Sequence, residues 1–144
     1  MASKQIQFIA DLKTELGTQG FATVKEGAYN KSESITEPYE IFILDTSGSL
    51  TGTDRAAITE TSNYDIFLCI REDQITPSTN IEYLRKTKMG LIKTALYNIK
   101  DSWQLTDATF GIQGESSVAQ DDTYLVSGYI AYIIRVCVAL ENSY

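Results

Sequence analysis

Three oxygen-bearing side chains, Asp45, Ser47 and Ser49, stand at alternate positions directly after the apolar run at 41–44. A carboxylate with two hydroxyls offers the hard oxygen ligands that Mg²⁺ prefers in proteins. If the apolar run is a buried strand, these groups lie together where that strand ends. The stretch IFILDTSGSLTGTD therefore indicates either a metal site or a polar hairpin loop, because Asp, Thr, Ser and Gly are also the residues of turns.

The spelling Asp-x-Ser-x-Ser resembles the metal-binding motif of von Willebrand A-type domains. That resemblance implies a long amphipathic helix after the second serine and two later loops that add a Thr and an Asp. Here the only apolar patch after Ser49 is 56–58, which is too short for the crossover helix that parallel strands need. The sequence therefore favours an extended hairpin loop at 46–63. A metal-dependent ligand-binding domain that uses Asp45, Ser47 and Ser49 remains the alternative hypothesis.

The remaining composition limits the chemistry that this chain can perform. It has no histidine, which removes Ser-His-Asp and Cys-His nucleophiles and every zinc site that needs an imidazole. Its cysteines, Cys69 and Cys137, lie inside apolar, strand-like runs and are interpreted as small buried hydrophobes. The paired acids at 72–73 and 121–122 lie beside turns, where carboxylates are solvated. We predict a protein that is not an enzyme and holds no cofactor.

Length and charge indicate one soluble domain that spans residues 1–144. The net charge of −7 argues against nucleic-acid binding through a basic surface. The longest apolar run, at 129–140, is too short to span a bilayer and contains Arg135. Charges interrupt the N-terminus too early for a signal peptide. We therefore expect no membrane association.

Periodicity divides the chain into two helices and five strands. In chain order we predict a helix at 3–17, strands at 20–26, 38–45 and 64–71, a helix at 78–100, and strands at 108–114 and 124–140. The order α-β-β-β-α-β-β is typical of a single α+β domain with an antiparallel sheet packed by helices. The last strand is apolar on both faces, which predicts a central strand covered on both sides. One cover can be the long helix, and the other requires a second helix or another subunit.

The helix at 78–100 reverses the acidic balance of the chain. It carries five cations against Glu82 alone, a net charge of +4, which leaves −11 on the remaining residues. Lys86, Lys93 and Lys100 recur every seven residues and line one stripe of the helix. The stripe is either a solvated face or a basic surface that meets an acidic one. Unlike patches on different faces of one protein favour head-to-tail contacts, which can close into rings.

Nearly the whole chain resembles the tail terminator (tail completion) proteins of long-tailed bacteriophages. The resemblance lies in the N-terminal helix IQFIADLKTELG, the hairpin PYEIFILD…NYDIFLCIRE with its long tip, the helix NIEYLRKTKMGLIKTALYNI, and the closing hairpin DATFGIQG…YLVSGYIAYIIRV. It is a likeness in the order, length and character of the elements, because the family has no diagnostic motif.

The resemblance implies a structural role in the virion, at the tail or neck, after assembly in the host cytoplasm. Members of the family are small α+β domains that form a hexameric ring. The ring caps the growing tail tube, stops its polymerisation and later joins the tail to the head. The implied partners are further copies of the chain, the tail tube protein and a head-completion or connector protein. DNA would pass through the lumen of the ring without specific binding.

Within this hypothesis the loop at 46–63 is a natural contact element. Leu50, Asp54 and Arg55 are its predicted contacts, because an apolar side chain and a cation have no local reason to stand in a polar tip. The three lysines of the helical stripe are the other predicted contacts. Another neck or head-tail completion subunit is the alternative within the same class. An unrelated α+β binding domain is an alternative from a different class.

Overall fold

The computed structural model describes residues 4–27, 37–51, 58–117 and 129–142. Its helices are α1 (Lys4–Thr18) and α2 (Ile81–Ser102), and its strands are β1 (Val24–Glu26), β2 (Tyr39–Thr51), β3 (Ile58–Arg71), β4 (Phe110–Ser117) and β5 (Tyr129–Asn142). A short 3₁₀ helix, Glu72–Gln74, follows β3. The predicted α+β class and the order α-β-β-β-α-β-β are confirmed.

The strands form one sheet in the order β1-β2-β3-β5-β4. Three of the pairings are antiparallel, as predicted, whereas β1 joins β2 in parallel, so the sheet is mixed. β3 and β5 pair without a bulge from Ile58 opposite Asn142 to Arg71 opposite Tyr129. This long central pair fixes the register from which β2 and β4 extend on either side.

Both helices pack on the same face of the sheet. α1 contributes Phe8, Leu12 and Leu16 to the main core, and α2 contributes Ile92, Leu96 and Ile99. Alternate residues of the central pair complete this core, among them Tyr64, Ile66, Leu68, Ile134, Val136 and Val138. This spacing of two follows from the strand geometry, which sends successive side chains to opposite faces. The indole Nε1 of Trp103 donates to Asp11 Oδ2 at 2.9 Å, which joins the end of α2 to α1.

The opposite face carries a smaller apolar cluster near the start of β5. Its buried members are Phe42, Phe67, Cys69, Tyr129 and Ala131. The prediction that the last strand lies inside the sheet is confirmed, since β5 lies between β3 and β4. Its burial on both faces holds only at its start, because Arg135 and Glu141 on the face away from the helices are exposed. Of the two covers that the sequence left open for that face, a second helix is not found among the described residues, because both described helices belong to the main core.

α2 begins three residues later than predicted because Asn80 caps it. The Asn80 side chain accepts a hydrogen bond from the backbone N–H of Tyr83 at 2.9 Å, and asparagine is among the strongest N-cap residues. The helix continues past the predicted end to Ser102. In the part of the chain that the structure describes, neither helix combines the length and the apolar character that a membrane crossing needs.

Gly90 stands in the middle of α2, and no contact with the described residues requires a glycine there. A Cβ at this position meets no heavy atom within 4 Å. Glycine in a helix interior costs about 1 kcal/mol relative to alanine. We therefore expect Gly90→Ala to raise the free energy of unfolding by about 1 kcal/mol and the melting midpoint by roughly 2–4 °C.

Thermal denaturation followed by far-UV circular dichroism measures this change. Gly20→Ala is the matched control, because Gly20 has a φ of 103° that an alanine tolerates poorly. The control should lower the midpoint. A lower midpoint for Gly90→Ala would show that Gly90 serves the fold itself.

The two cysteines occupy different environments and lie far apart. Cys69 is fully buried, and this burial, with the charge of Glu40 as a smaller cause, raises the pKa of its thiol to about 12. Cys137 is only partly buried. Cys69 is opposite Ala131 and Cys137 is opposite Asn63, so six residues of β5 separate them. That separation is about 20 Å, well beyond the reach of a disulfide.

Thiol labelling should therefore distinguish the two residues. In the Cys137→Ser variant, we expect Ellman's reagent to leave Cys69 unmodified until the chain unfolds, because the thiolate is the reacting form. Labelling with and without denaturant, read by absorbance and mass, provides the measurement. Rapid modification of Cys69 under native conditions would contradict the burial of this sheet face.

Candidate protein–protein interface

The predicted loop at 46–63 is largely a continuation of the β2–β3 hairpin. The ladder continues from Ser47 opposite Asn63 to Thr51 opposite Thr59, and only 52–57 lie between the strands. The prediction of a long loop at 46–63 is wrong because the polar composition of this segment was taken as evidence for a loop. Threonine is a good strand former, and a strand with solvated surroundings needs no apolar residues.

A β-bulge at Thr46 changes the face on which the following residues lie. Asp45 is opposite Tyr64 whereas Ser47 is opposite Asn63, so β2 holds one extra residue here. Tyr64 and Asn63 are neighbours in β3 and point to opposite faces. Asp45 therefore lies on the helix side of the sheet with the buried Tyr64. Ser47 lies on the other side, where its Oγ accepts a hydrogen bond from Asn63 Nδ2 at 2.9 Å.

The bulge separates the three residues of the Asp-x-Ser-x-Ser motif. Ser49 is opposite Thr61 and shares the face of Ser47, while Asp45 is on the opposite face. The carboxylate and the two hydroxyls therefore do not converge on one point. The strand also continues where an A-type domain requires a helix. Within the described ranges, no three His, Cys, Asp or Glu side chains are grouped so that they could hold a metal ion.

Over most of its length the outer edge of β2 pairs with no described residue. β1 pairs only with 41–43, and Gly27 adds one hydrogen bond from its N–H to the Ile43 carbonyl at 2.8 Å. No described strand pairs with this edge over 44–51. The side chains of 45–50 are exposed, and Leu50 has 67% of its surface in solvent. An open edge of this length is a place where another chain can bind.

An apolar groove of about 310 Å³ lies beside this edge, between α1 and β2. We name it the acidic groove, and its defining residues are Ile6, Ile9, Glu26, Ile43, Leu44, Asp45 and Tyr64. Ile6 stands at its margin with 67% of its surface exposed. Residues on the opposite face of the same turn of α1 are buried in the core. Ile6 is also apolar, but it is far less buried than they are.

Carboxylates form the rim of the acidic groove. Partial burial raises the pKa of Asp45, and the nearby charge of Glu60 raises it further. Glu26 has Lys13 as a partner, with Nζ 3.6 Å from Oε2, in a pair that is largely exposed. The rim therefore carries a neutral ion pair and the negative charge of Asp45 around an apolar floor.

Most cations of α2 are bound within the chain. Lys93 pairs with Glu115 of β4, and Lys100 pairs with Asp107 in the turn after the helix. Arg85 Nη2 lies 2.7 Å from Glu82 Oε2, and Lys88 Nζ lies 4.2 Å from the centre of the Tyr39 ring. Of the five cations of α2, only Lys86 has no ion pair or ring contact with a described residue.

The outward side of α2 presents two tyrosines around Gly90. Tyr83 has 61% of its surface exposed and Tyr97 has 55%. Both lie seven residues from Gly90, so the three residues form one line along the helix. Lys86 is three residues after Tyr83 and four before Gly90, which places it beside this line. We name these four residues, Tyr83, Lys86, Gly90 and Tyr97, the tyrosine face.

The predicted contact residues have different outcomes. Leu50 and Lys86 are exposed and available for contacts, whereas Lys93 and Lys100 are held in ion pairs within the chain. Asp54 and Arg55 lie outside the described residues. The sequence alone assigned no contact role to Ile6, Tyr83 or Tyr97, which the structure leaves exposed.

The raised pKa of Asp45 makes a prediction about stability and pH. Because ionisation is disfavoured in the folded state, folding carries a penalty that is absent below the ordinary pKa, about 4, and fully present above the raised pKa. We expect Asp45→Asn to raise the melting midpoint at pH 7 by roughly 1–2 °C. The difference should disappear as the pH falls below about 4.

Thermal melts across this pH range measure the effect, with Glu141→Gln as the control. Glu141 is an exposed carboxylate on β5, and its amide variant should leave the midpoint unchanged. If Asp45→Asn lowers the midpoint at pH 7, the carboxylate makes a favourable interaction within the chain, and the description of the rim is incorrect.

No protein-family model matches the sequence, and no curated protein matches it. The described residues place an acidic groove beside the outer edge of β2, and two exposed tyrosines with the exposed Lys86 on the outward side of α2.

Proposed function

We propose that this chain is the tail terminator of a long-tailed bacteriophage. In this role it is a structural subunit that forms a ring on the end of the tail tube, ends tube polymerisation and offers the surface that joins tail to head. The observation that carries the proposal is the presence of two unlike exposed surfaces on different elements of one small domain. The element order that the family resemblance implies supports it as well.

The two surfaces are carried by different elements. α1 packs on β3, where Phe8 stacks on Tyr64 with 6.4 Å between ring centroids, and it also contacts β5. α2 lies over β5, where the Arg85 guanidinium is 5.8 Å from the centre of the Tyr132 ring, and its Lys88 reaches Tyr39 of β2. The acidic groove lies between α1 and β2, whereas the tyrosine face is the solvent-exposed side of α2, so the two surfaces are separate.

Two unlike surfaces on one subunit suit a head-to-tail contact between identical copies. Such a contact repeats until it closes as a ring or continues as a filament. A closed ring has two free faces. One face can bind the last ring of the tail tube and the other can bind a head-completion or connector protein. This activity requires surfaces and no covalent chemistry.

The charge of the chain is compatible with a ring through which DNA passes. With a net charge of −7, the subunit lacks the excess of cations that holds DNA phosphates nonspecifically. Intrachain partners bind most of the cations of α2 and reduce their availability further. The proposed location is the tail or neck of the virion, after assembly in the host cytoplasm.

Tube polymerisation in vitro tests the proposal directly. Purified tail tube protein from the phage that encodes this chain is polymerised with and without the chain, and tube lengths are measured by electron microscopy. We expect the chain to bind at one end of each tube and to shorten the tubes as its concentration rises. A chain that is monomeric in solution can still give this result, because docking on the tube end can trigger ring formation.

The proposal is overturned if the chain neither binds tube ends nor changes tube length. Binding to the purified head connector without binding to tubes would instead assign the chain to another neck or head-tail completion role. A bovine serum albumin control excludes a general effect of added protein on polymerisation.

A further inference from the structure

We propose that neighbouring copies of this chain join by placing the tyrosine face of one copy against the acidic groove of the next. Ile6 of one copy enters the hollow over Gly90 between Tyr83 and Tyr97, and Lys86 meets the Asp45 carboxylate. The inference rests on the proposed function in that it identifies the contact from which the ring is built.

The hollow over Gly90 is the first observation. Glycine weakens a helix interior. Among the described residues nothing occupies the space over Gly90, because a Cβ there meets no heavy atom within 4 Å. A group from another molecule can therefore approach the helix backbone closely at this point. Tyr83 and Tyr97 lie on the same line of the helix, about 10 Å along its axis on either side of Gly90.

The exposure of the two tyrosines is the second observation. Tyr83 and Tyr97 are 61% and 55% exposed, and they are two of the four large hydrophobic side chains that the structure leaves exposed in the described residues. Tyrosine is enriched at the centres of protein interfaces, where its ring supplies contact area and its hydroxyl remains hydrogen-bonded. The distance from Tyr83 to Tyr97 along the helix is about 21 Å.

The other two exposed hydrophobic residues, Ile6 and Leu50, belong to the groove side of the molecule. Both are 67% exposed. Leu50 is opposite Glu60, and the Glu60 carbonyl accepts a hydrogen bond from Gln5, the neighbour of Ile6. The open edge at 44–51 is about 26 Å long. It is therefore of similar length to the tyrosine face, and each surface carries one half of the exposed apolar side chains.

Charge decides in favour of a second copy as the occupant. The groove rim carries the Asp45 carboxylate, and the charge of Glu60 acts on it. On the tyrosine face Lys86 is exposed; it is the one cation of α2 that forms no ion pair within 4 Å and no ring contact with a described residue, although its charge acts on Glu82 one turn earlier. The acidic groove thus supplies a carboxylate, and the tyrosine face supplies a cation that can pair with it. A partner protein with its own cation and apolar side chain is the competing occupant, and the experiment below excludes or identifies it.

A charge-exchange experiment on the full chain tests the contact. Self-association is measured by sedimentation velocity and on tube ends by electron microscopy, for Lys86→Glu, Asp45→Lys and the variant that combines both changes. We expect each single change to weaken association at least tenfold, because it brings like charges together. The combined variant should regain association to within about threefold of the unchanged chain, because the pair is restored with exchanged signs.

Two further variants control for folding and for net charge. Glu141→Lys makes the same charge change as Asp45→Lys at an exposed position on the side of the sheet away from the helices, and it should leave association unchanged. Gly90→Ala should weaken association although it stabilises the helix, since its methyl group fills the hollow. Far-UV circular dichroism confirms that every variant is folded.

The outcomes separate this inference from the proposed function. If the unchanged chain caps tubes but no variant alters association, the function stands and the contact is wrong. If the charge exchange restores association but the chain never binds tubes, the contact stands and the function is wrong. If the combined variant is weaker than either single variant, or the unchanged chain stays monomeric even on tube ends, this contact is overturned.

Discussion

The pairing of β3 with β5 is the constraint on which the other features depend. It continues without a bulge from Ile58 and Asn142 to Arg71 and Tyr129, and its alternate residues form the floor of the main core. Because both helices lie on that floor, they lie side by side and leave their outward sides exposed to solvent. The groove between α1 and β2 and the outward side of α2 are then separate surfaces of one domain.

The bulge at Thr46 determines the character of the β2 edge. By shifting the alternation by one residue, it leaves Asp45 on the helix side, beside apolar groove residues, and moves Ser47 and Ser49 to the other face. The three residues of the Asp-x-Ser-x-Ser motif therefore lie on two surfaces. Asp45 is at the rim of the groove, and the hydroxyls of Ser47 and Ser49 are on the other face. The free-energy cost of an ionised Asp45 at this position is small, and a lysine from a partner chain would offset that cost.

The order of the helices and strands could be predicted from the sequence, whereas the extent of β2 and its bulge could not. The period of α2 and the apolar alternation of β3 are local signals, so the order of elements followed from them. The strand character of 46–51 was missed because its polar residues pair with β3, and that partner is defined only by the whole sheet. The bulge has the same nonlocal origin. Lys93 was predicted as an interface residue, yet it finds Glu115 on β4, a contact that spacing along the helix could not reveal.

The central claim is that one copy's tyrosine face meets the next copy's acidic groove, and disulfide trapping tests it most directly. In a Cys137→Ser background, the account predicts that Ile6→Cys and Gly90→Cys chains form no disulfide alone, that their mixture forms a dimer, and that a chain with both changes forms a ladder ending at one closed size. Trapping is measured by nonreducing electrophoresis on tube-bound protein. A disulfide between two Ile6→Cys chains, or none in the mixture, would contradict the account.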